Sequence, residues 1–271
     1  MAIYLTDGSF EGLLSAIYAV TYARDEPGGI YPAQDYQTDL LHRPCQIATD
    51  PARAARVMAA IQGKLSATTP EHMLQASLHS DPEAYLWIYR YLALGWRVGR
   101  RLDSLLTEEA VHRVQRMSRA VGAERHKLLG LLRFRELKSG AFYAPIRPTH
   151  HVLPLMGEHF AARMDRPFLI HDVGRDQGVI CNGQEPVLID LKLEALPEYA
   201  ARETDFQALW QLFFARIANQ GRINPTCQRG FMPKKYWRYL VERPGSAALI
   251  RAGGSGPAAP SPKRLPDAGK T

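Results

Sequence analysis

Apolar positions recur at helical spacing along most of this chain and switch to alternation only in the stretch around residues 131–190. Ala2 to Leu5 reads as a short strand, Thr6-Asp7-Gly8 as a turn and Ser9 as a helix N-cap. Phe10, Leu13, Leu14, Ile17, Tyr18 and Thr21 follow helical spacing, so a strand, a turn and a helix open the fold. Residues 25–48 hold Pro, Gly and Asp clusters and read as a long loop. Asp50-Pro51, Thr69-Pro70 and Asp81-Pro82 each place a capping side chain before a proline at the first helical position. They predict helices over 51–65, 70–79 and 82–101. The third carries Tyr85, Leu86, Ile88, Tyr89, Leu92 and Trp96, coverage wide enough for a central core helix. A further helix is expected from Thr107 to about 129, with Gly122 a point of interruption.

Leu131 to Leu137 and Ala141 to Ile146 then alternate around Lys138-Ser139-Gly140, a hairpin signal. Pro148-Thr149 starts a helix through Val152, Met156, Phe160 and Met164. Phe168 to His171 reads as a strand, and Val179 to Cys181 and Val187 to Asp190 flank an Asn182-Gly183 turn. The expected class is α+β: a mainly helical chain with an inserted antiparallel strand-strand-helix-strand-strand unit. Helices are expected again over about 202–220, with an apolar stripe of Phe206, Leu209, Trp210, Phe213, Phe214 and Ile217, and over about 233–242. This organises one domain over 1–244, helical to 130, strand-rich over 131–190 and helical over 196–244. Residues 245–271 are Gly, Ala, Pro and Ser with scattered cations and are expected to be disordered.

The 271 residues are 46% apolar, enough to build a core, which excludes fibrous and wholly disordered readings. With no long apolar run and no signal-peptide pattern at the start, the expectation is a soluble, cytoplasmic chain with no membrane partner. Cys45, Cys181 and Cys227 are widely spaced, which argues against a disulfide scaffold or a zinc ribbon. The net charge of +7 is unevenly distributed. Residues 90–138 carry 12 basic and 5 acidic side chains, and residues 206–244 carry 7 and 1. Most cations are Arg, whose planar fork matches phosphate oxygens, so a polyanionic partner is favoured, although a high-GC genome gives the same Arg-rich composition.

The densest cationic-aromatic cluster is Arg222, Arg229, Lys234, Lys235, Tyr236, Trp237 and Arg238. On an α-helix, positions 234, 235 and 238 share a face near its start, where free amides also favour an anion. Such a face holds a phosphodiester while Tyr236 or Trp237 meets a base; the alternative is a capped terminal helix with Trp237 in the core. Arg133 and Arg135 alternate with Leu132 and Phe134, giving either a basic sheet face or an amphipathic strand paired with Glu136 or Asp172. His150, His151, Glu158 and His159 lack a recognised ligand spacing, so no metal and no cofactor is predicted. Asp7, Asp172 and His150 are the candidate acid or base residues, although turns and caps also favour Asp. No phosphate loop or nucleophile elbow occurs.

Several stretches together resemble a bacterial family described as putative DNA repair or probable DNA metabolism proteins, whose defining domain is of unknown function. They are Tyr4-x-x-Asp7-Gly8-Ser9-Phe10-Glu11-Gly12, His126 to Phe134, and Ala144-Pro145-Ile146-Arg147-Pro148 leading to His150. They continue through His159-Phe160-x-x-Arg163, Ile170-His171-Asp172-x-x-Arg175 and Leu209-Trp210-x-x-Phe213. The last is Arg222-x-Asn224-Pro225-x-x-Gln228-x-x-x-Met232-Pro233-x-x-Tyr236-Trp237. The resemblance implies a companion of a radical-SAM DNA repair-like protein, and longer relatives carry a uracil-DNA glycosylase-like domain. This chain has neither the three-cysteine radical-SAM motif nor that second domain. The expected function is a DNA-binding accessory protein in repair or modification. The alternatives are a DNA-processing enzyme using Asp7, Asp172 or His150, and a protein-interaction scaffold.

Overall fold

A computed structural model describes residues 2–37, 43–193, 197–217 and 224–243, and the chain divides into two compact units. Residues 1–130, 148–164 and 184–188 belong to the first, and 131–147, 165–183 and 189–271 to the second. The class is α+β and mostly helical, with two sheets. Arg222 and the tail at 245–271 lie outside the described residues.

The first unit opens with β1 (Ile3–Thr6) and α1 (Phe10–Ala23). The Ser9 hydroxyl caps α1 by accepting the Gly12 N–H at 2.9 Å, and the Asp7 carboxylate accepts both the Ser9 N–H and its hydroxyl. A side chain at Gly12 would meet the Asp7 carboxylate at 2.1 Å, so only glycine lets that carboxylate close on the helix start. The expected loop over 25–48 instead contains two short strands, β2 (Gly29–Pro32) and β3 (Cys45–Gln46). Both pair with β1 in parallel, giving the order β2-β1-β3. Strands of four and two residues show no alternation against their Gly and Pro neighbours; the pairing with β1 supplies what the local pattern lacks.

Of the three Pro-marked starts, Asp50-Pro51 opens α2 (Pro51–Lys64) as expected; α3 (Thr69–Ser77) starts at Thr69 itself, with Thr68 as an N-cap that makes no side-chain cap bond, and α4 (Ala84–Val98) starts two residues after Pro82, the last running on as a 3-10 turn over Gly99–Ser104. Asp50 caps α2 by accepting the Ala52 and Arg53 N–H groups. α5 (Glu109–Leu131) continues through Gly122 without a break. The core joins Leu13, Ile17 and Val20 of α1 to Ile61 of α2, Ile88, Tyr91 and Leu92 of α4, and Val111 and Val114 of α5. After Pro148 the expected long helix is a 3-10 turn, Leu153–Leu155, and a single short α6 (Gly157–Ala161). Pro154 has no N–H to continue an α-helical ladder, and Gly157 lowers the propensity further.

The five-stranded sheet has the order β4-β5-β6-β7-β8, Arg135–Glu136, Phe142–Ile146, Phe168–Asp172, Gln177–Cys181 and Val187–Asp190, and its first four strands lie in the second unit. β4 with β5 and β6 with β7 pair antiparallel as expected, but β5 with β6 is parallel, so the sheet is mixed. The long connection from 147 to 167 makes that crossover feasible, because parallel neighbours need a dozen or more residues between them. α7 (Glu203–Ile217) and α8 (Pro225–Phe231) follow, then a 3-10 turn at Lys234–Tyr239. No helix among the described residues is long and apolar enough to cross a membrane.

Candidate nucleic-acid interface

The cationic C-terminal segment is set by two proline starts. The Asn224 side chain accepts the Thr226 and Cys227 N–H groups at 3.1 and 2.9 Å, and Pro225 opens α8. This helix was not expected, although Asn224-Pro225 repeats the cap-proline signal that marks α2. Pro233 then opens the six-residue 3-10 turn where a helix over 233–242 was expected. Its three-residue period changes which side chains share a face. Tyr236 and Tyr239 fall in line, and Tyr236 is buried together with Leu240 and Val241. Lys235 and Arg238 form a second line, while Lys234 stands with Trp237, its ammonium 5.9 Å from the indole centre. The expected single α-helical face of three cations, with its anion-binding helix start, is therefore not formed.

What forms instead is a set of exposed cations on two adjacent elements: Lys234, Lys235 and Arg238 on the 3-10 turn, whose Tyr236 is buried with Leu240 and Val241 just beyond it, and Arg229 on α8. Trp237 is half-buried: its indole N–H donates to the Met232 carbonyl at 2.9 Å, and the Arg243 guanidinium lies 4.2 Å from the ring centre. Tyr236, a candidate for base contact, is only 2% exposed and is a packing residue.

The expected basic sheet face from Arg133 and Arg135 is not present. Leu131 ends α5, and the strand contains only Arg135 and Glu136, so the alternation does not act on both arginines. Arg133 makes a two-bond ion pair with Glu242, at 2.7 and 3.2 Å, and lies 5.4 Å from the Trp210 ring centre. Arg135 is 2% exposed and sits opposite Tyr143 in the β4–β5 register.

Beside Arg133 the second unit has a cleft of about 470 Å³, walled by Phe134 and Phe142 on one side and by Phe206 and Trp210 of α7 on the other. The apolar stripe of α7 is largely exposed: Phe206, Leu209, Phe213 and Ile217 are each more than half accessible. Its period gave the helix correctly but not a covering partner. α7 is held by polar contacts, Trp210 Nε1 to Glu242 and Gln211 Nε2 to the Val241 carbonyl, and by Glu203 accepting the Glu136 N–H.

The three acid–base candidates have structural partners. Asp7 accepts the N–H and hydroxyl of Ser9, the cap of α1, and the Thr49 hydroxyl at 2.7 Å; burial pushes its carboxyl up, but these hydrogen bonds outweigh it and hold it below its ordinary value. The His150 ring stacks on His79 with centres 4.2 Å apart, its Nδ1 accepts the Ser80 N–H, and its backbone N–H donates to Glu124. Asp7 and His150 share no hydrogen-bond partner among the described residues. Asp172, in the second unit, is fully buried, accepts the Gly174 N–H at 3.0 Å and pairs with Arg175 at 2.9 Å.

A different polar group emerges in the second unit. Arg135, Tyr143, His171, Tyr199 and Tyr239 lie together, with the Tyr143 hydroxyl 2.9 Å from His171 Nδ1 and Arg135 Nη1 donating to the Tyr199 hydroxyl at 3.3 Å. Burial lowers the His171 pKa against the opposing pull of Asp176 and Asp172, and burial raises that of Tyr143. The sequence hides this cluster because its members meet only through register: Arg135 opposes Tyr143, and His171 lies two residues beyond Leu169, the partner of Tyr143.

No curated protein and no solved structure matches the chain. The sequence profile of DUF4130, a domain of unknown function, matches residues 82–242, a span that takes in α4, α5, the five-stranded sheet and the cationic C-terminal segment. With well over half of its length inside that match, the chain belongs to the DUF4130 family.

Proposed function

We propose that this chain is a DNA-binding accessory protein in DNA repair or modification, and that its second unit supplies the phosphate contacts. The observation that carries the reading is the set of exposed cations Lys234, Lys235 and Arg238 on a turn anchored by buried Tyr236, with Arg229 exposed on the preceding α8. Cations on a fixed backbone meet a polyanion without first ordering it, so less entropy opposes binding. The partner, a radical-SAM or glycosylase-like protein, follows from the family resemblance of the motifs around Asp7, His171 and Trp237. The structural engagement of Asp7, His150 and Asp172 weighs against the DNA-processing alternative.

Each phosphate contact releases condensed counterions. Purified protein is expected to bind duplex DNA of arbitrary sequence, with a slope of log Kd against log salt of about 3 to 4 if the four cations engage. Fluorescence anisotropy across a salt series measures it. No affinity at about 50 mM salt would contradict the reading and leave the scaffold with an acidic protein partner.

A further inference from the structure

We infer that the buried face of the second unit's sheet forms a small-oxyanion site on Arg135, His171 and Tyr239, and that its ligand is a phosphate group. Arg135 is 2% exposed, yet no carboxylate lies within 4.0 Å of it among the described residues. A guanidinium removed from water without a counterion is costly, and proteins normally avoid it by pairing. The bonds Arg135 does make are weak: Nη1 to the Tyr199 hydroxyl at 3.3 Å and Nη2 to the Tyr239 carbonyl at 3.4 Å, beyond the usual range of about 2.7–3.2 Å. Its Nε has no partner.

Two neighbours repeat the pattern independently. Among the described residues, neither the Tyr239 hydroxyl nor His171 Nε2, both buried, has a hydrogen-bond partner within normal distance, although the Leu191 backbone lies close enough to raise the His171 pKa; His171 as a residue is 4% exposed. Buried polar atoms are otherwise satisfied in folded proteins, so three orphans in one cluster mark a place where something binds. Their chemistry selects the ligand. Burial lowers the His171 pKa, and in the tautomer in which the Tyr143 hydroxyl donates to Nδ1 the ring proton lies on Nε2. The three orphan atoms then offer two N–H groups and one O–H group, which together suit an anion. A guanidinium fork with two further donors serves several oxygens at once, which a tetrahedral phosphate offers and a carboxylate does not. Tyr199 and Tyr239 are only half-buried, so their rings form the rim, and the two long Arg135 bonds are the ones a ligand replaces.

This site is separate from the exposed cations, and its test does not depend on DNA binding. The probe is inorganic phosphate, followed by isothermal titration and by thermal shift against sodium chloride at matched ionic strength. The wild-type chain is expected to bind one phosphate per molecule with a saturable rise in Tm. Tyr239→Phe removes a hydroxyl that bonds nothing in the described residues, so it should fold with unchanged Tm and bind phosphate about tenfold more weakly or worse. Arg135→Met should abolish the response, whereas Lys234→Ala/Lys235→Ala should keep it. Oligonucleotides with and without a 5′-phosphate separate the two sources: tighter binding of the phosphorylated strand assigns the site to a DNA end, and equal binding assigns it to free phosphate. A wild-type response that never saturates, or Tyr239→Phe and Arg135→Met responding like wild type, would overturn the proposal. If Arg135→Met fails to fold, Tyr239→Phe decides alone.

Discussion

Asp103→Asn is expected to lower the stability of the first unit by about 1–3 kcal/mol, because it breaks the hub of a partly buried polar network held by hydrogen bonds and by His72. The Asp103 carboxylate accepts from Tyr91, Ser66 and Thr68, from Thr69 at 3.3 Å and from Gln115 Nε2 at 3.4 Å, and lies 3.1 Å from His72 Nδ1. Tyr91 and Thr69 are fully buried, so an amide that turns N–H groups toward their hydroxyls leaves them without an acceptor. The pH dependence follows with a definite sign. Burial pushes the Asp103 carboxyl up, but the hydrogen bonds from His72, Ser66, Tyr91 and Thr68 outweigh it and hold the group well below the ordinary carboxylate range. A lowered folded-state pKa stabilises the fold above the unfolded-state value, about 3.9, and that contribution disappears as pH falls through the folded-state pKa. Urea midpoints at neutral and acid pH should therefore converge between wild type and variant as pH falls. A variant with a wild-type midpoint at pH 7 would show that the network is not what holds the turn after α4.

Tyr236→Ala is expected to cost about 3–5 kcal/mol, in the range for truncating a buried aromatic ring. Tyr236 is 2% exposed beside Leu240 and Val241, and its loss leaves a cavity under the turn that carries Lys234, Lys235 and Arg238. Trp237→Ala should cost less, since the ring is only half-buried and keeps its face toward Lys234 and Arg243. Urea denaturation of both variants checks the order, and a larger loss at Trp237 would reverse the assignment of core and surface. This corrects the sequence-based expectation, which treated Tyr236 as open for base contact and Trp237 as the core alternative. An α-helical period places the residues of this segment 100° apart, whereas the 3-10 turn places them about 120° apart, and that difference decides which ring points inward.

Elements marked by chemistry next to one another in sequence were legible. Asp50-Pro51 and Ser9 mark helix starts through side-chain-to-backbone bonds that span three residues, and both helices begin there. Asn224-Pro225 carries the same signal and opens α8. β2 and β3 were hidden because strands this short are specified by their partner β1 and not by their own alternation. The parallel β5–β6 pair and the compensation of Arg133 by Glu242, 109 positions away, depend on contacts that no local pattern encodes. The oxyanion cluster is hidden for the same reason. Arg133 and Arg135 look equivalent in a row of alternating residues, yet one is neutralised by an ion pair and the other is buried with no counterion among the described residues.

The central claim, that the exposed cations grip DNA phosphates, is tested most directly by comparing the salt dependence of DNA affinity in wild type and in Lys234→Ala/Lys235→Ala/Arg238→Ala. These side chains are exposed, so replacing them should change stability by no more than about 0.5 kcal/mol each, and loss of binding cannot be attributed to unfolding. Removing three phosphate contacts should flatten the slope of log Kd against log salt by about 2.7 on duplex DNA or about 2.1 on single strands. An unchanged slope at unchanged affinity would contradict the account and place the DNA contact elsewhere on the molecule.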